Sequence, residues 1–311
     1  MIRFFRGPDS LEVTEMAKAL FGRVITAMIT PFHEDGSVDY EGAVTLAKHL
    51  LAHGSEGLLL GATTGEGATM TEEEKLKLYR TVVDAVGDKA TVLGNAGGAD
   101  TAASCAFIKK VEETGVKGAL AIVPFYVKPT QEGIYQHFKA IAAATKLPIM
   151  LYTVPGRTSS NILPETTKRL AEDCPNIVAI KEASGNFSQI TEESRILPKD
   201  FMIYSGDDSF TLPILATGGV GVVSVSSHVI GEDMLAMVKA YEAGDVEKAK
   251  ELHQKTFPMN KGLFFITSPI PVKTAINLLG LPGGAFRLPM VPANAAEKAH
   301  VEQLLKDYGL L

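Results

Sequence analysis

Eight short apolar runs, separated by stretches with helical periodicity, constrain this chain more than any other feature. They are Val24–Ile29, Gly57–Ala62, Thr91–Ala96, Ala119–Pro124, Pro148–Val154, Ile177–Ala183, Met202–Gly206 and Gly221–Ser226. Apolar runs of this length read as strands buried on both faces, the pattern of a parallel sheet. Between them, Glu41–Leu51, Glu72–Val86, Ala102–Glu113, Glu132–Ala144 and Pro164–Glu172 carry the helical period. Thr71 followed by Glu74 is a capping-box signal, and Gly54, Gly87 and Gly115 stand where helices should stop. Eight such even units predict an α/β fold, a (β/α)8 TIM barrel, rather than a doubly wound sheet. Only a short helix, Thr211–Ala216, fits between the last two strands.

Beyond the eighth run the pattern is purely helical: Asp233–Ala243, Asp245–Phe257, Pro271–Leu279 and Ala295–Tyr308. The expected organisation is an N-terminal extension over residues 1–20 with a short helix at Leu11–Leu20. A barrel over 21–244 and a small C-terminal helical appendage over 245–311 follow.

Composition narrows the function classes. With 46% hydrophobic and 21% charged residues, the chain reads as ordinary globular protein. A formal charge of −6 offers no basic field, which argues against nucleic acid or an acidic membrane as partner. Cys105 and Cys174 form neither a CxxC pair nor a zinc spacing, and such sparse use fits a reducing, cytoplasmic location. The first residues lack a secretory pattern, the absence of an Arg/Ser-rich leader argues against a plastid precursor, and no window approaches the ~18 apolar residues of a membrane span. His49 and His53 have metal-pair spacing but no third ligand, so they read as a solvated helix face and no metal is expected. Gly94–Gly98 matches no nucleotide fingerprint, and Gly218–Gly221 reads as a tight turn.

In a barrel of this kind the chemistry sits at the C-terminal ends of the strands. That rule brings Thr63, Thr64, Tyr126, Tyr152, Arg157, Lys181 and Gly206 to one rim. Lys181 ends the buried run Ile177–Ala183. Burial disfavours a charged lysine and moves its pKa from about 10.4 toward neutrality, which makes the amine a nucleophile able to form a Schiff base. Tyrosine and threonine hydroxyls can shuttle protons, backbone N–H groups beside Gly65 can bind a carboxylate, and arginine can grip a second one. Each residue has a plain alternative: Lys181 snorkelling or pairing with Glu182, Tyr152 as a strand aromatic, Thr63-Thr64-Gly65 as a simple turn, Arg157 as a surface charge. Their joint placement at strand ends decides for chemistry.

From about Phe21 to Leu311 the chain resembles the dihydrodipicolinate synthase (4-hydroxy-tetrahydrodipicolinate synthase) family of pyruvate-dependent aldolases. The motifs are Thr63-Thr64-Gly65-Glu66, Tyr152-x-Val154-Pro155-x-Arg157-Thr158, Ile180-Lys181-Glu182-Ala183-x-Gly185-Asn186, Ser205-Gly206-Asp207-Asp208 and Pro269-Ile270-Pro271-Val272-Lys273. The resemblance implies a lyase that condenses pyruvate with aspartate semialdehyde in lysine and diaminopimelate biosynthesis. It implies that Lys181 forms the Schiff base and that Tyr152 relays protons through Thr64 to Tyr126. Thr63 and Thr64 would hold pyruvate's carboxylate, Arg157 that of the aldehyde, and Gly206 and the main chain at Val223 would line the pocket. No cofactor is implied, since the lysine is the electron sink. The tyrosine matching Tyr126 enters a neighbouring subunit's site, which implies a homo-oligomer, dimer or tetramer.

Phe125 stands for a frequent tyrosine, Ala62 for a glycine and Thr153 for an asparagine; none removes a reacting group. The positions matching the family's lysine-binding site are Gly67, Glu72, Lys75, Ala99, Ala103 and Phe125, and weak or absent lysine inhibition is expected. Two alternatives stand beside this reading. One is a sister aldolase for N-acetylneuraminate or a 2-keto-3-deoxy sugar acid, against which Arg157 speaks. The other is a non-catalytic 2-oxo-acid binder, which would have no need of a proton relay.

Overall fold

The computed structural model describes residues 19–311. Eight parallel strands close into a barrel in which each pairs with the next and β8 pairs with β1. They are β1 (Val24–Ala27), β2 (Gly57–Leu60), β3 (Thr91–Asn95), β4 (Gly118–Ile122), β5 (Ile149–Thr153), β6 (Ile177–Glu182), β7 (Met202–Ser205) and β8 (Gly221–Ser224). All eight expected strands are present, and each ends one or two residues earlier than its apolar run. The apolar stretch continues beyond the hydrogen-bonded ladder into the rim.

The helices are α1 (Tyr40–Ala52), α2 (Glu72–Val86), α3 (Thr101–Glu112), α4 (Gln131–Ala143), α5 (Pro155–Thr158), α6 (Pro164–Asp173), α7 (Phe187–Ile196) and α8 (Thr211–Ala216). They are followed by α9 (Ser227–Glu242), α10 (Val246–Gly262), α11 (Ile270–Leu278) and α12 (Ala295–Tyr308). The capping box at Thr71 is formed: its hydroxyl accepts from Glu74 N, and Glu74 accepts from Thr71 N at 2.9 Å. The short α5 and the regular α7 went unmarked in the sequence. The N-terminal helix expected at Leu11–Leu20 lies outside the described residues except for Ala19 and Leu20, which are non-helical.

Two apolar layers result from alternation along each strand. Ile25, Leu59, Leu93, Leu120, Met150, Ala179 and Val223 fill the barrel interior. Val24, Leu58, Val92, Ala119, Leu151, Ile180 and Val222 face the helices. This parity fixes the site: Ala179 points inward, so Lys181 also does, whereas Ile180 and Glu182 point toward the helical layer. Among the described residues no helix is long and apolar enough to cross a membrane.

Candidate active site

Register places the two central side chains together. Tyr152 on β5 pairs with Lys181 on β6, and the Lys181 amine stands 4.4 Å from the centre of the Tyr152 ring. Lys181 is only 5% exposed. Its pKa falls to about 8 because burial penalises the ammonium; the carboxylate of Asp208 opposes the fall and Arg157 adds to it. Burial likewise pushes Tyr152 up to about 12, with Arg157 and the Thr63 side chain easing the rise. A lysine whose amine is readily deprotonated, beside a tyrosine that stays protonated, is suited to attack on a carbonyl carbon and to the proton transfers that follow.

Lys181 does not pair with its neighbour Glu182. The Glu182 carboxylate faces the helical layer, accepting from Ser184 N at 2.5 Å and Gln189 Nε2 at 3.3 Å. Gly206 is tied to β6 through its N–H, which donates to Glu182 O at 2.7 Å. A Cβ on Gly206 would lie 3.1 Å from Lys181 Cγ, so the backbone there approaches the lysine closely. Asp208, to which the sequence analysis gave no role, is fully buried. It accepts from the Ser224 hydroxyl and from Val225 N and Ser226 N at 3.0 and 3.1 Å, which joins the ends of β7 and β8.

A cavity of about 670 Å³ opens over this rim. Thr63, Tyr152 and Arg157 line it. Lys181 lies beside Tyr152 rather than on the cavity wall, and Val223 is buried in the interior layer below. Arg157, on α5, donates from Nη2 to Ser268 O at 3.4 Å. The sequence pointed to Thr64 as the hydroxyl beside Tyr152; here it is the Thr63 side chain that eases the rise in the Tyr152 pKa. Thr63 is exposed to the cavity, whereas Thr64 is buried. Both threonines lie past the last paired residue of β2, so the turn rather than the strand's alternation sets which side chain faces the cavity. Tyr126 stays apart from the other residues: it is 89% exposed, on a loop where Tyr126 and Lys128 have φ of +70° and +46°.

Sequence reasoning missed part of the wall. Asn95 at the end of β3 and Gly97 and Gly98 in the loop after it line the cavity, and Thr267–Pro269, Pro289 and Met290 line it from the C-terminal region. The glycine-rich run after β3 and the Pro269–Lys273 motif were the available signals.

The closed barrel and the low-pKa lysine at its C-terminal rim define a class, the lysine-dependent barrel lyases. Comparison with known proteins narrows it. The model of the dihydrodipicolinate synthetase family matches residues 20–308. The 4-hydroxy-tetrahydrodipicolinate synthase of Moorella thermoacetica is 53% identical over 291 residues, spanning 94% of this chain and 99% of its own. That of Desulforamulus reducens is 49% identical over 296 residues, spanning 95% and 100%. The crystal structure of DHDPS from Cyanidioschyzon merolae with lysine bound superposes with a TM-score of 0.92 at 45% identity, covering 94% of this chain and 99% of that one. The chain belongs to the dihydrodipicolinate synthetase family.

Proposed function

We propose that this protein condenses pyruvate with L-aspartate 4-semialdehyde to 4-hydroxy-tetrahydrodipicolinate, a step of lysine and diaminopimelate biosynthesis. The observation that carries the reading is the buried Lys181 amine, lowered to about 8 and held 4.4 Å from the Tyr152 ring. The neutral amine attacks C2 of pyruvate. Loss of water gives an iminium, and loss of a C3 proton gives the enamine. The enamine carbon attacks the aldehyde; the substrate's own amine then displaces Lys181 and closes the ring. Tyr152 and Thr63 carry the protons, and backbone N–H groups at Thr63–Thr64 bind pyruvate's carboxylate. Arg157 receives the carboxylate of the aldehyde. The scheme uses the lysine as electron sink and calls on no cofactor.

Tyr126 completes the relay from a second subunit, so the working unit is at least a dimer, and the expected location is the cytoplasm. Its exposure leaves the side chain free to reach a neighbour, and its left-handed φ is of the kind that clusters at active sites.

Borohydride reduction in the presence of pyruvate, followed by peptide mass spectrometry, tests the reading. A pyruvyl adduct on Lys181 together with turnover of aspartate semialdehyde is expected. Folded protein without adduct would contradict it. Arg157→Ala is expected to lose about 2–5 kcal/mol of kcat/KM for the aldehyde, as truncation of a charged partner does.

A further inference from the structure

The cavity wall contains a buried ion pair that the proposed chemistry does not use. Lys273 on α11 faces Glu66 at the end of the Thr63–Glu66 turn, with Nζ 2.7 Å from Oε1 and both side chains inaccessible to solvent. Lysine and glutamate are rarely buried so fully, and desolvating two charges is costly even when they pair. Such a pair is better suited to fixing geometry than to adding stability.

The surrounding bonds show what it fixes. Lys273 Nζ also donates to Thr30 O at 3.0 Å, and the Thr30 hydroxyl donates to Gly65 O at 2.7 Å. The second Glu66 oxygen accepts from Arg287 N at 3.3 Å. Consecutive residues of the turn, Gly65 and Glu66, are therefore held by one clip that runs through Thr30 and Lys273. Glu66 has a φ of +52°, an uncommon conformation for a side-chain-bearing residue. At Gly67 a Cβ would lie 1.8 Å from Gly61 O, so the turn is packed to backbone contact.

We infer that Lys273 and Glu66 are positioning residues, by which the C-terminal region holds the Thr63–Gly65 turn in the shape that binds pyruvate's carboxylate. The inference rests on the pyruvate-binding reading of that turn. Arg157 is held separately, through Ser268 O, so the effect belongs to pyruvate and not to the aldehyde.

The test compares Glu66→Gln and Thr30→Val with the wild type, each first checked for cooperative melting. Glu66→Gln keeps shape and removes charge. Thr30→Val removes one hydroxyl and leaves no buried charge unpaired, so it decides alone should Glu66→Gln not fold. Pyruvate half-saturation is read by borohydride trapping on Lys181, without any aldehyde. It is expected to rise about tenfold in Glu66→Gln and several-fold in Thr30→Val, with full adduct at saturating pyruvate and an unchanged KM for the aldehyde. A lowered melting temperature with unmoved half-saturation would show a purely structural pair and overturn the inference. An equal rise in both substrate constants would overturn it too. A wild type that forms no adduct strikes the pyruvate reading itself; a wild type with adduct and unmoved variants strikes only the inference.

Discussion

Lys181 and Glu182 are adjacent in sequence yet stand in different environments, because successive strand residues face opposite sides of the barrel. Lys181 is buried among interior side chains and loses affinity for its proton. Its neutral fraction grows as pH rises through about 8. The pyruvate trapping rate is therefore expected to climb about tenfold per pH unit below that value and to level off above it. A rate flat from about two pH units below that value to about one above it would contradict the assignment of the nucleophile. The hydroxyl partner of Tyr152 gives a second check at this scale. Thr63→Val should cost on the order of 10²-fold in kcat, while Thr64→Val should act mainly on pyruvate binding. Equal kcat losses would return Thr64 to the relay. Which of two adjacent threonines faces the tyrosine was not legible in the sequence: both lie past the end of β2, where the two-residue period of the strand no longer applies.

At the scale of elements, legibility followed the purity of the apolar pattern. The helices α2, α8 and α12 have the ends expected from sequence: α2 and α12 each open on a capping box, and α8 fills the short interval between β7 and β8. The helix α7 went unmarked because two of its buried positions are polar, Gln189 and Glu193, which interrupts the apolar stripe. Those residues explain its packing. Glu193 lies against Glu182 on β6, and burial together with the neighbouring carboxylate raises its pKa well above the ordinary value. A raised acid binds its proton more tightly in the folded state than in the unfolded chain, where the pKa is about 4.3. Its contribution to stability is thus present below that unfolded value and is lost as pH rises through the folded pKa. Glu193→Gln keeps the shape and cannot ionise. It should leave the melting temperature unchanged near pH 4 and raise it by at least about 2 °C at pH 8, as scanning calorimetry would show. A destabilised variant at pH 8 would mean that the charged form is the one the fold supports.

At the scale of the whole molecule, the barrel and its rim were readable from eight local patterns, whereas the part of the cavity wall supplied by the C-terminal region was not. Lys273 and Glu66 are 207 residues apart, and no periodicity links such positions. The same holds for contacts between subunits. Within one chain Tyr126 is 89% exposed and does not line the cavity, although the proposed relay requires its hydroxyl. Sites shared across a two-fold interface have a distinctive consequence, because each subunit then supplies one site's lysine and the other site's tyrosine. Lys181→Ala and Tyr126→Phe should each be nearly inactive alone. Unfolded together and refolded as a mixture, they form hybrid dimers in which one site has both Lys181 and a wild-type Tyr126 from its partner. Equal mixing makes half of the dimers hybrid, each with one complete site of two, so about a quarter of wild-type activity should return. Activity no greater than the sum of the two separate variants, in a mixture shown by mass spectrometry to contain hybrids, would place Tyr126 outside the relay.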